Sequence, residues 1–198
     1  MIKRRLHIYV LEWGSALYKS IELSNYHVLH PRPVYLIVSM NREGRVNVMA
    51  ASWVMPVSDE PFLVAVSMWK ANLSYQYIGE TGEFTINIPG EKHINVVYKA
   101  GVVSGREVDK VKSLGLNLVE SMQIKTPGLG DMLGFLECKV VREVDLGEMA
   151  LLIAEVKAIH VVEELYTKYG WNLAKAKVLL HNGGRGFTTP GKLILAEK

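Results

Sequence analysis

The chain has 198 residues, 49% of them hydrophobic and 22% charged, a composition that excludes disordered and collagen-like proteins and predicts one large folded domain. Its 23 lysines and arginines outnumber its 20 acidic residues by only three and are scattered along the chain, so the sequence predicts no nucleic-acid-binding surface. Because Cys138 is the one cysteine, an internal disulfide is impossible and a thiolate metal site within one chain is not expected.

The beginning of the chain does not predict a secretion signal, and no stretch predicts a membrane span. The apolar residues LHIYVLEWG follow the basic run Lys3-Arg4-Arg5, but Glu12 interrupts them before they form a signal-peptide core. Apolar runs elsewhere, such as residues 34–38, are far shorter than the ~20 residues that cross a bilayer. We therefore expect a cytoplasmic protein with no membrane partner.

Seven blocks rich in valine, isoleucine and aromatic residues predict β-strands separated by turns. The linkers at residues 41–44 and 145–148 have hairpin length, and each contains a glycine that tolerates positive φ. Neighbouring strands are therefore predicted to pair antiparallel. In chain order, the predicted strands cover residues 34–40, 45–49, 53–57, 62–68, 84–88, 135–144 and 149–162.

Helical periodicity is confined to residues 74–82, 91–100 and 165–178, with Gly82 and Gly101 as the expected C-terminal stops of the first two. Because these helices are too few for repeated βαβ units, the sequence predicts a mainly β fold with α decoration. We expect a closed or nearly closed antiparallel barrel, which removes exposed strand edges. The whole chain is predicted to be a single domain, residues 1–198, with its core at about 32–160 and terminal extensions at 1–31 and 161–198.

Three small residues, Ala50, Ala51 and Ser52, stand where a buried strand usually carries valine, isoleucine or leucine. If the strand bends here, these residues leave backbone amides accessible, and a flat aromatic ligand can approach closely. The alternative is that small side chains relieve crowding where two strands cross. The segment by itself does not decide between the two interpretations.

The stretch at residues 67–84 predicts a strand that runs through a loop into a helix. Asn72 or Ser74 is expected to cap that helix, and the unpaired N–H groups of a first helical turn attract anions. Lys70 adds a positive charge and Ser67 a hydroxyl donor, so the stretch predicts a phosphate site. An ordinary capped helix beside a solvated lysine is the alternative.

Several short blocks, taken together in their order and spacing, resemble the flavin reductase-like family, which includes flavoredoxins and archaeal ferric reductases. The resemblance extends over about residues 32–159. The blocks that carry it are Asn47-Val48-Met49-Ala50-Ala51-Ser52-Trp53, Pro56-Val57-Ser58, Pro61-Phe62-Leu63-Val64, Thr81-Gly82-Glu83-Phe84-Thr85-Ile86-Asn87, Ser104-Gly105-Arg106, Asp109-Lys110 and Leu136-Glu137-Cys138.

The resemblance implies a split β-barrel of Greek-key type that binds FMN near the interface of a homodimer. The flavin ring would lie beside Ala50, Ala51 and Ser52, the ribityl phosphate would lie near Lys70, and a loop from either subunit would bring Arg106 towards the flavin. The cofactor-binding residues that the resemblance implies are Asn47, Met49, Ala50, Ala51, Ser52, Trp53, Ser67, Met68, Trp69, Lys70, Asn72, Ser74, Asn87, Ser104, Gly105, Arg106 and Lys110.

The activity that the resemblance implies is electron transfer from NADH or NADPH through FMN to free flavin, a ferric chelate or another acceptor such as a redox partner protein. The chemistry would take place at N5 of the flavin, so no catalytic side chain is predicted, and the protein supplies position and electrostatic field. A nicotinamide that only stacks on a flavin needs no dinucleotide fold. The missing G-x-G-x-x-G motif is therefore not contrary evidence.

The six histidines do not predict a metal site, because no two of them have H-x-x-x-H spacing. His181 differs from the others because it precedes a glycine-rich segment that ends in Arg185. Some members of the resembled family bring their C-terminal stretch near the flavin, which makes His181 and Arg185 candidates for contact with the flavin or the electron donor. A surface turn is the alternative.

Two other functions remain open at this point. One is an FMN electron carrier that exchanges electrons with partner proteins without productive NAD(P)H binding. The other is a barrel of the same shape that binds no flavin and serves as an interaction module.

Overall fold

The computed structural model describes residues 10–13 and 16–197, and these residues form two units that meet in the sequence at His30 and Pro31. The basic run Lys3-Arg4-Arg5 lies outside the described residues. The two units are described separately below.

The first unit contains one short hairpin and one 3₁₀ turn. β1 (Val10–Trp13) pairs antiparallel with β2 (Ala16–Lys19), and the 3₁₀ turn follows at Tyr26–Leu29. Asn25 caps this turn, because its side-chain oxygen accepts a hydrogen bond from the His27 N–H.

The second unit is built mainly of strands, which confirms the mainly β fold with few helices. Its α-helices are α1 (Leu73–Thr81), α2 (Ile94–Val102) and α3 (Lys110–Ser113), with 3₁₀ turns at Glu91–His93 and Glu163–Leu165. Its strands are β3 (Arg32–Pro33), β4 (Tyr35–Met40), β5 (Val46–Ala51), β6 (Val54–Asp59), β7 (Phe62–Trp69), β8 (Glu83–Ile88), β9 (Leu118–Val119), β10 (Gly128–Leu129), β11 (Gly134–Leu146), β12 (Met149–Val161), β13 (Tyr166–Thr167), β14 (Gly170–Trp171), β15 (Leu180–Gly183) and β16 (Gly186–Thr188).

The second unit is organised around an antiparallel sheet of seven strands in the order β5-β4-β8-β11-β12-β7-β6. The two edge strands, β5 and β6, are consecutive in the chain and are joined only by Ser52 and Trp53. This short link brings the two edges together, so the sheet curves into a split barrel. The Trp53 carbonyl also accepts a 2.9 Å hydrogen bond from the Ser67 N–H of β7. The seven predicted strands correspond to β4–β8, β11 and β12, and the antiparallel barrel is confirmed.

Alternation of side chains along the strands divides the core into an interior cluster and an outer cluster. The interior cluster fills the barrel with residues such as Phe84 and Leu152, and α1 contributes Ile78 to it. The outer cluster, which includes Val48 of β5 and Val97 of α2, lies on the opposite face of the sheet. Burial of each such side chain contributes ~1.5–3 kcal/mol, so the outer cluster holds α2 against β5.

The first two helices lie close to their predicted positions, but one predicted helix end is wrong. α1 ends at Gly82, whose φ of 71° provides the expected left-handed cap. Gly101, in contrast, lies inside α2, which continues to Val102. A Cβ added to Gly101 would make an ordinary van der Waals contact of 3.4 Å with the Cβ of Ala50, so this glycine faces β5 and does not terminate the helix.

The predicted helix at residues 165–178 is wrong. This stretch contains the end of a 3₁₀ turn, the short hairpin β13–β14 and further turns, and Gly170 has a positive φ of 105°. Its apolar residues at 165, 171, 176 and 178 pack in a third cluster with Ile88 and Leu133. Their spacing therefore reflects contacts of an irregular segment rather than one face of a helix. Within the described ranges, no helix has the length and hydropathy of a membrane span.

The C-terminal part of the chain returns to the start of the second unit. β15 pairs antiparallel with both β16 and β3, which places His181 opposite Arg32 and Leu180 opposite Pro33. The turn between β15 and β16 consists of Gly184 and Arg185. This pairing fixes the β15–β16 hairpin relative to the strand that leads into β4.

Candidate functional site

Two adjoining cavities lie where β5 meets α2. The first has a volume of about 400 Å³ and the second a volume of about 220 Å³. Ala50, Gly101 and Val102 line both, so the two cavities form one groove. The predicted site residues that line the first cavity are Asn47, Met49, Ala50, Asn72, Ser74, Ser104, Gly105, Arg106 and Lys110, and those that line the second are Ala50, Ala51, Ser52 and His181.

Buried polar contacts fix the β5 side of the first cavity to the start of α1. Asn47 Nδ2 donates a 2.9 Å hydrogen bond to Ser74 Oγ, and both side chains are buried. Asn72 occupies the N-cap position of α1 but makes no side-chain capping bond, and its Nδ2 lies 4.0 Å from Met49 Sδ. Asn72 therefore stands at the predicted N-cap position but does not cap the helix with its side chain. Its side-chain amide remains able to hydrogen-bond a ligand.

The loop after α2 closes the first cavity opposite β5. Ser104 Oγ accepts a 3.3 Å hydrogen bond from the Arg106 N–H, and Arg106 Nη1 donates a 3.0 Å hydrogen bond to the Ala71 carbonyl. A Cβ on Gly105 would collide with Asn47 Oδ1, so only glycine lets this loop approach β5 so closely. The loop is therefore attached both to β5 and to the turn before α1.

Lys110 places a buried amine in the lining of the first cavity. Its Nζ donates hydrogen bonds of 2.9 Å to the Val48 carbonyl of β5 and 2.7 Å to the Ala100 carbonyl of α2, and the residue is only 5% exposed. Among the described residues, no carboxylate is ion-paired with it. Desolvation lowers the pKa of Lys110 to about 8. An ammonium group has three donors, so one remains for a ligand, and a buried cation without a counter-ion favours an anionic one.

The second cavity is mostly apolar and lies between the end of β5, α2 and the β15–β16 hairpin. Val34, Val97 and Phe187 line it together with Tyr98. Its aromatic and aliphatic walls suit a planar ring, whereas the lysine, serine and asparagine groups of the first cavity suit a polar, negatively charged group.

Ala50 and Ala51 do not form one platform, because neighbouring residues of a strand face opposite sides of the sheet. Ala51 is 8% exposed and belongs to the interior cluster, whereas Ala50 packs with the outer cluster beside α2. Both explanations of the small residues therefore apply. Ala51 fits a crowded barrel interior, while Ala50 is small where Gly101 approaches and where the two cavities join.

The strand before α1 contributes less to the cavities than the sequence predicts. Lys70 Nζ lies 2.7 Å from Asp145 Oδ1 near the tip of the β11–β12 hairpin, and this hydrogen bond raises the pKa of Lys70. Met68 is buried in the interior cluster, Trp69 is exposed, and Ser67 is half-buried. None of these four predicted residues lines either cavity.

Asn87, Trp53 and Arg185 also lie outside the linings of the two cavities. Asn87 is fully buried, and its side-chain amide donates to the Leu36 carbonyl at 3.1 Å and accepts from the Leu129 N–H at 2.7 Å. Its polar atoms therefore hold β4, β8 and β10 together. The Trp53 ring lies 5.7 Å from the guanidinium carbon of Arg32, and Arg185 lies above Tyr98.

The sequence analysis missed the contribution of α2. Val97, Tyr98, Gly101 and Val102 all line the groove, yet none was singled out as a ligand-binding residue. The available signal was Gly101, because a glycine inside a helix lowers helix propensity and often marks a close approach.

Glu137 is a buried charged residue for which no functional role was predicted. It is fully buried and accepts hydrogen bonds from the N–H groups of Met122 and Gln123, at 2.7 and 2.6 Å, and lies 2.7 Å from His160 Nε2. Burial alone raises the pKa of Glu137, but these hydrogen bonds outweigh burial and hold its pKa below the usual value. Glu137 lines neither cavity and serves to attach residues 122–124 to the barrel.

Comparison with known families and proteins agrees with this architecture. Residues 27–188 match the family described as flavin reductase like domain. The chain belongs to the flavin reductase-like family. An uncharacterized protein of Archaeoglobus fulgidus is 36% identical over 162 residues, which cover 81% of this chain and 89% of the relative.

Two solved structures with similar sequences share the fold. The flavoredoxin of Desulfovibrio vulgaris (Miyazaki F) has a TM-score of 0.80 and 27% identity, with 89% of this chain and 96% of the flavoredoxin covered. The nitrilotriacetate monooxygenase component B from Bacillus cereus has a TM-score of 0.81 and 25% identity, with 89% of this chain and 95% of the component covered.

Proposed function

We propose that this protein binds FMN in the groove formed by the two cavities and transfers electrons as an oxidoreductase of flavin reductase type. NADH or NADPH would supply the electrons, and free flavin, a ferric chelate or another acceptor would receive them. The observation that carries the proposal is Lys110, a buried amine with two carbonyl partners and no carboxylate, in the lining of a polar cavity that adjoins an apolar one.

The residues present fit FMN in chemical type. In the first cavity, Lys110, Ser104, Arg106 and Asn72 would hold the ribityl phosphate through charge-assisted and neutral hydrogen bonds. In the second cavity, the apolar walls and Tyr98 would hold the ring. When bound, FMN supplies the redox chemistry, because it accepts electrons as a pair and passes them on.

The chain's own side chains would act through position and electrostatics. The Lys110 ammonium stabilises negative charge in a site where desolvation strengthens electrostatic interactions. The loop at Gly105 approaches Asn47 so closely that a Cβ there would collide, and this tight packing fixes one wall of the groove. No side chain of the groove is assigned a proton-transfer role.

The absorption spectrum of the purified protein tests flavin binding, and titration of flavin-free protein with FMN measures its affinity. We expect flavin absorbance in the purified protein and saturable binding of one FMN per chain. A protein that shows neither is the flavinless interaction module, and the proposal is then rejected.

Anaerobic stopped-flow mixing with NADH or NADPH tests the electron donor. Rapid bleaching of the flavin absorbance by one of the two nucleotides is the expected result for a reductase. The second candidate is an FMN electron carrier, which the similarity to a flavoredoxin favours. A carrier would show negligible bleaching with both nucleotides but would be reduced by a redox partner protein.

A homodimer in the cytoplasm is part of the same proposal. The edge strand β6 carries two exposed apolar residues, Met55 (57% exposed) and Val57 (43% exposed). Contact with a second subunit would remove these side chains from water, which favours a dimer. Light scattering after gel filtration would give the mass of a dimer, and a monomer at all concentrations would contradict this part. Cell fractionation tests the cytoplasmic location.

A further inference from the structure

The second cavity is bordered by a charged residue to which the proposed electron transfer assigns no role. Arg185 lies in the turn between β15 and β16, and its guanidinium carbon is 5.7 Å from the centroid of the Tyr98 ring. Tyr98 belongs to α2 and lines the cavity. In the described part of the chain, no carboxylate is ion-paired with Arg185. The cavity therefore has a positive group beside it whose charge is not neutralised by the protein.

The backbone of the hairpin determines where Arg185 lies. Gly183 and Gly184 have φ values of 117° and 53°, and the β15–β16 register shifts between His181 and Gly183. These conformations favour glycine, so the turn is locally specified and is not an arbitrary surface loop. The His181 ring lies 5.1 Å from the Phe187 ring, and both residues line the second cavity.

A guanidinium group above an aromatic ring can still bind anionic oxygens. Its face contacts the ring, while its N–H groups lie in its plane and match the two oxygens of a carboxylate or phosphate. Because the Tyr98 ring restricts the Arg185 side chain, less conformational entropy is lost when a ligand binds.

We propose that Arg185 and Tyr98 form a subsite for the anionic oxygen group, carboxylate or phosphate, of a planar aromatic substrate that docks at the open side of the second cavity, against the flavin ring. The inference rests on the proposed function, because such a substrate would exchange electrons with FMN in the same groove. The ring of the substrate would stack on the flavin ring that the apolar walls hold, and its anionic group would contact Arg185 at the rim of the cavity. Arg185 is thus a determinant of substrate choice and not a catalytic residue.

Two pairs of small ligands test the subsite, each pair differing in one anionic group. Benzoate is compared with benzamide, and nicotinamide mononucleotide is compared with nicotinamide riboside, by calorimetric titration of flavin-free and FMN-loaded protein. In at least one pair, we expect the anionic member to bind about ten- to a hundredfold more tightly. Arg185→Gln should abolish this preference. Arg142→Gln is the matched control, because it removes the same charge from an exposed position on β11 and should retain the preference.

The outcomes separate the two sources of the anionic group. A preference for benzoate alone identifies an aromatic carboxylate, and a preference for the mononucleotide alone identifies the phosphate of a pyridine nucleotide. Equal binding of the charged and neutral members, no measurable binding, or a preference that persists in Arg185→Gln would overturn the proposal. Flavin absorbance in the same samples reports FMN binding independently, and the flavin-free titrations test the subsite even if FMN does not bind.

Discussion

Lys70 and Lys110 were both predicted to hold the cofactor, and the structure places them in opposite environments. Lys70 lies beside the tip of a hairpin, paired with Asp145, and its side chain is 30% exposed. Lys110 is 5% exposed, and its partners are the backbone carbonyls of Val48 and Ala100. The charge of Lys70 is neutralised by the protein, whereas that of Lys110 is not. The buried lysine without a counter-ion is therefore the better candidate for an anion site than the lysine near the predicted helix start.

The largest expected effect is that of Lys110→Met on FMN affinity. Loss of a charge-assisted contact costs about 1.5–3 kcal/mol, so the FMN dissociation constant should rise about ten- to a hundredfold. The control is Lys112→Met on the same helix, since Lys112 is exposed and pairs with Asp109. Fluorescence titration measures both variants, and circular dichroism verifies that Lys110→Met is folded. An FMN affinity equal to that of Lys112→Met would remove Lys110 from the site.

Substitutions at Ala50 and Ala51 test whether the side chains at these positions must be small because of the groove or because of the barrel interior. In Ala50→Leu, the added atoms enter the place where the two cavities join, so FMN affinity should fall about tenfold through overpacking of the site. Ala51→Leu adds the same atoms to the interior cluster and should lower the free energy of unfolding by about 1–3 kcal/mol.

FMN titration and urea unfolding of both alanine variants distinguish these effects. In its folded fraction, Ala51→Leu should lose less FMN affinity than Ala50→Leu, because Ala51 lines only the second cavity and packs mainly in the interior cluster. The reverse pattern, with binding lost in Ala51→Leu and retained in Ala50→Leu, would contradict the orientation of the two side chains.

A smaller change in FMN affinity is expected when the pH is varied. It again depends on Lys110, because burial lowers the pKa of this residue to about 8. Below pH 8 the amine is protonated and attracts the phosphate, and above pH 8 it is increasingly neutral. FMN affinity should therefore fall as pH rises above 8, by at most about tenfold per pH unit for a single proton. In flavin-free protein the same lowered pKa acts in the opposite direction, because the unfolded chain holds this proton more tightly, so this group increases stability as pH rises above 8.

Titrations with FMN between about pH 6.5 and 9.5 measure this dependence, which should be absent from Lys110→Met. A wild-type affinity that does not change over this range would show that Lys110 is not the group that binds the phosphate.

The smallest expected effect is that of Lys70→Met. Because Lys70 lines neither cavity and forms a partly exposed pair with Asp145, its removal should change the FMN dissociation constant by no more than about threefold and leave the free energy of unfolding nearly unchanged. Asp145→Asn is the matched variant, since it breaks the same pair from the other side. A tenfold loss of affinity in Lys70→Met alone would restore the predicted phosphate site before α1.

The strands and the barrel could be predicted because alternation is a local property of the sequence. Each of the seven sheet strands carries its own pattern of apolar residues, and Gly44 and Gly147 mark hairpins with φ values of 81° and 78°. The segment at residues 165–178 could not be predicted in the same way, because its apolar residues are buried against Ile88 and Leu133, far away in the chain.

The candidate site was predictable only in part, for a related reason. Family resemblance identified Lys110, but its burial depends on α2 packing against β5, which brings together residues 48, 100 and 110. The role of Tyr98 likewise depends on the C-terminal hairpin, which no local pattern places beside α2. The family resemblance implied that Asn87 binds the cofactor, yet its amide hydrogen-bonds the Leu36 carbonyl and the Leu129 N–H.

The two-residue connection of Ser52 and Trp53 couples the opposite margins of the sheet. Local unfolding of β6 would displace β5, which forms a wall of the groove, because a linker of two residues cannot absorb the movement. A ligand seated against Ala50 should therefore slow amide hydrogen exchange in β6 as well as in β5, although no residue of β6 lines either cavity. β5 and β6 would then unfold and refold locally as one cooperative unit.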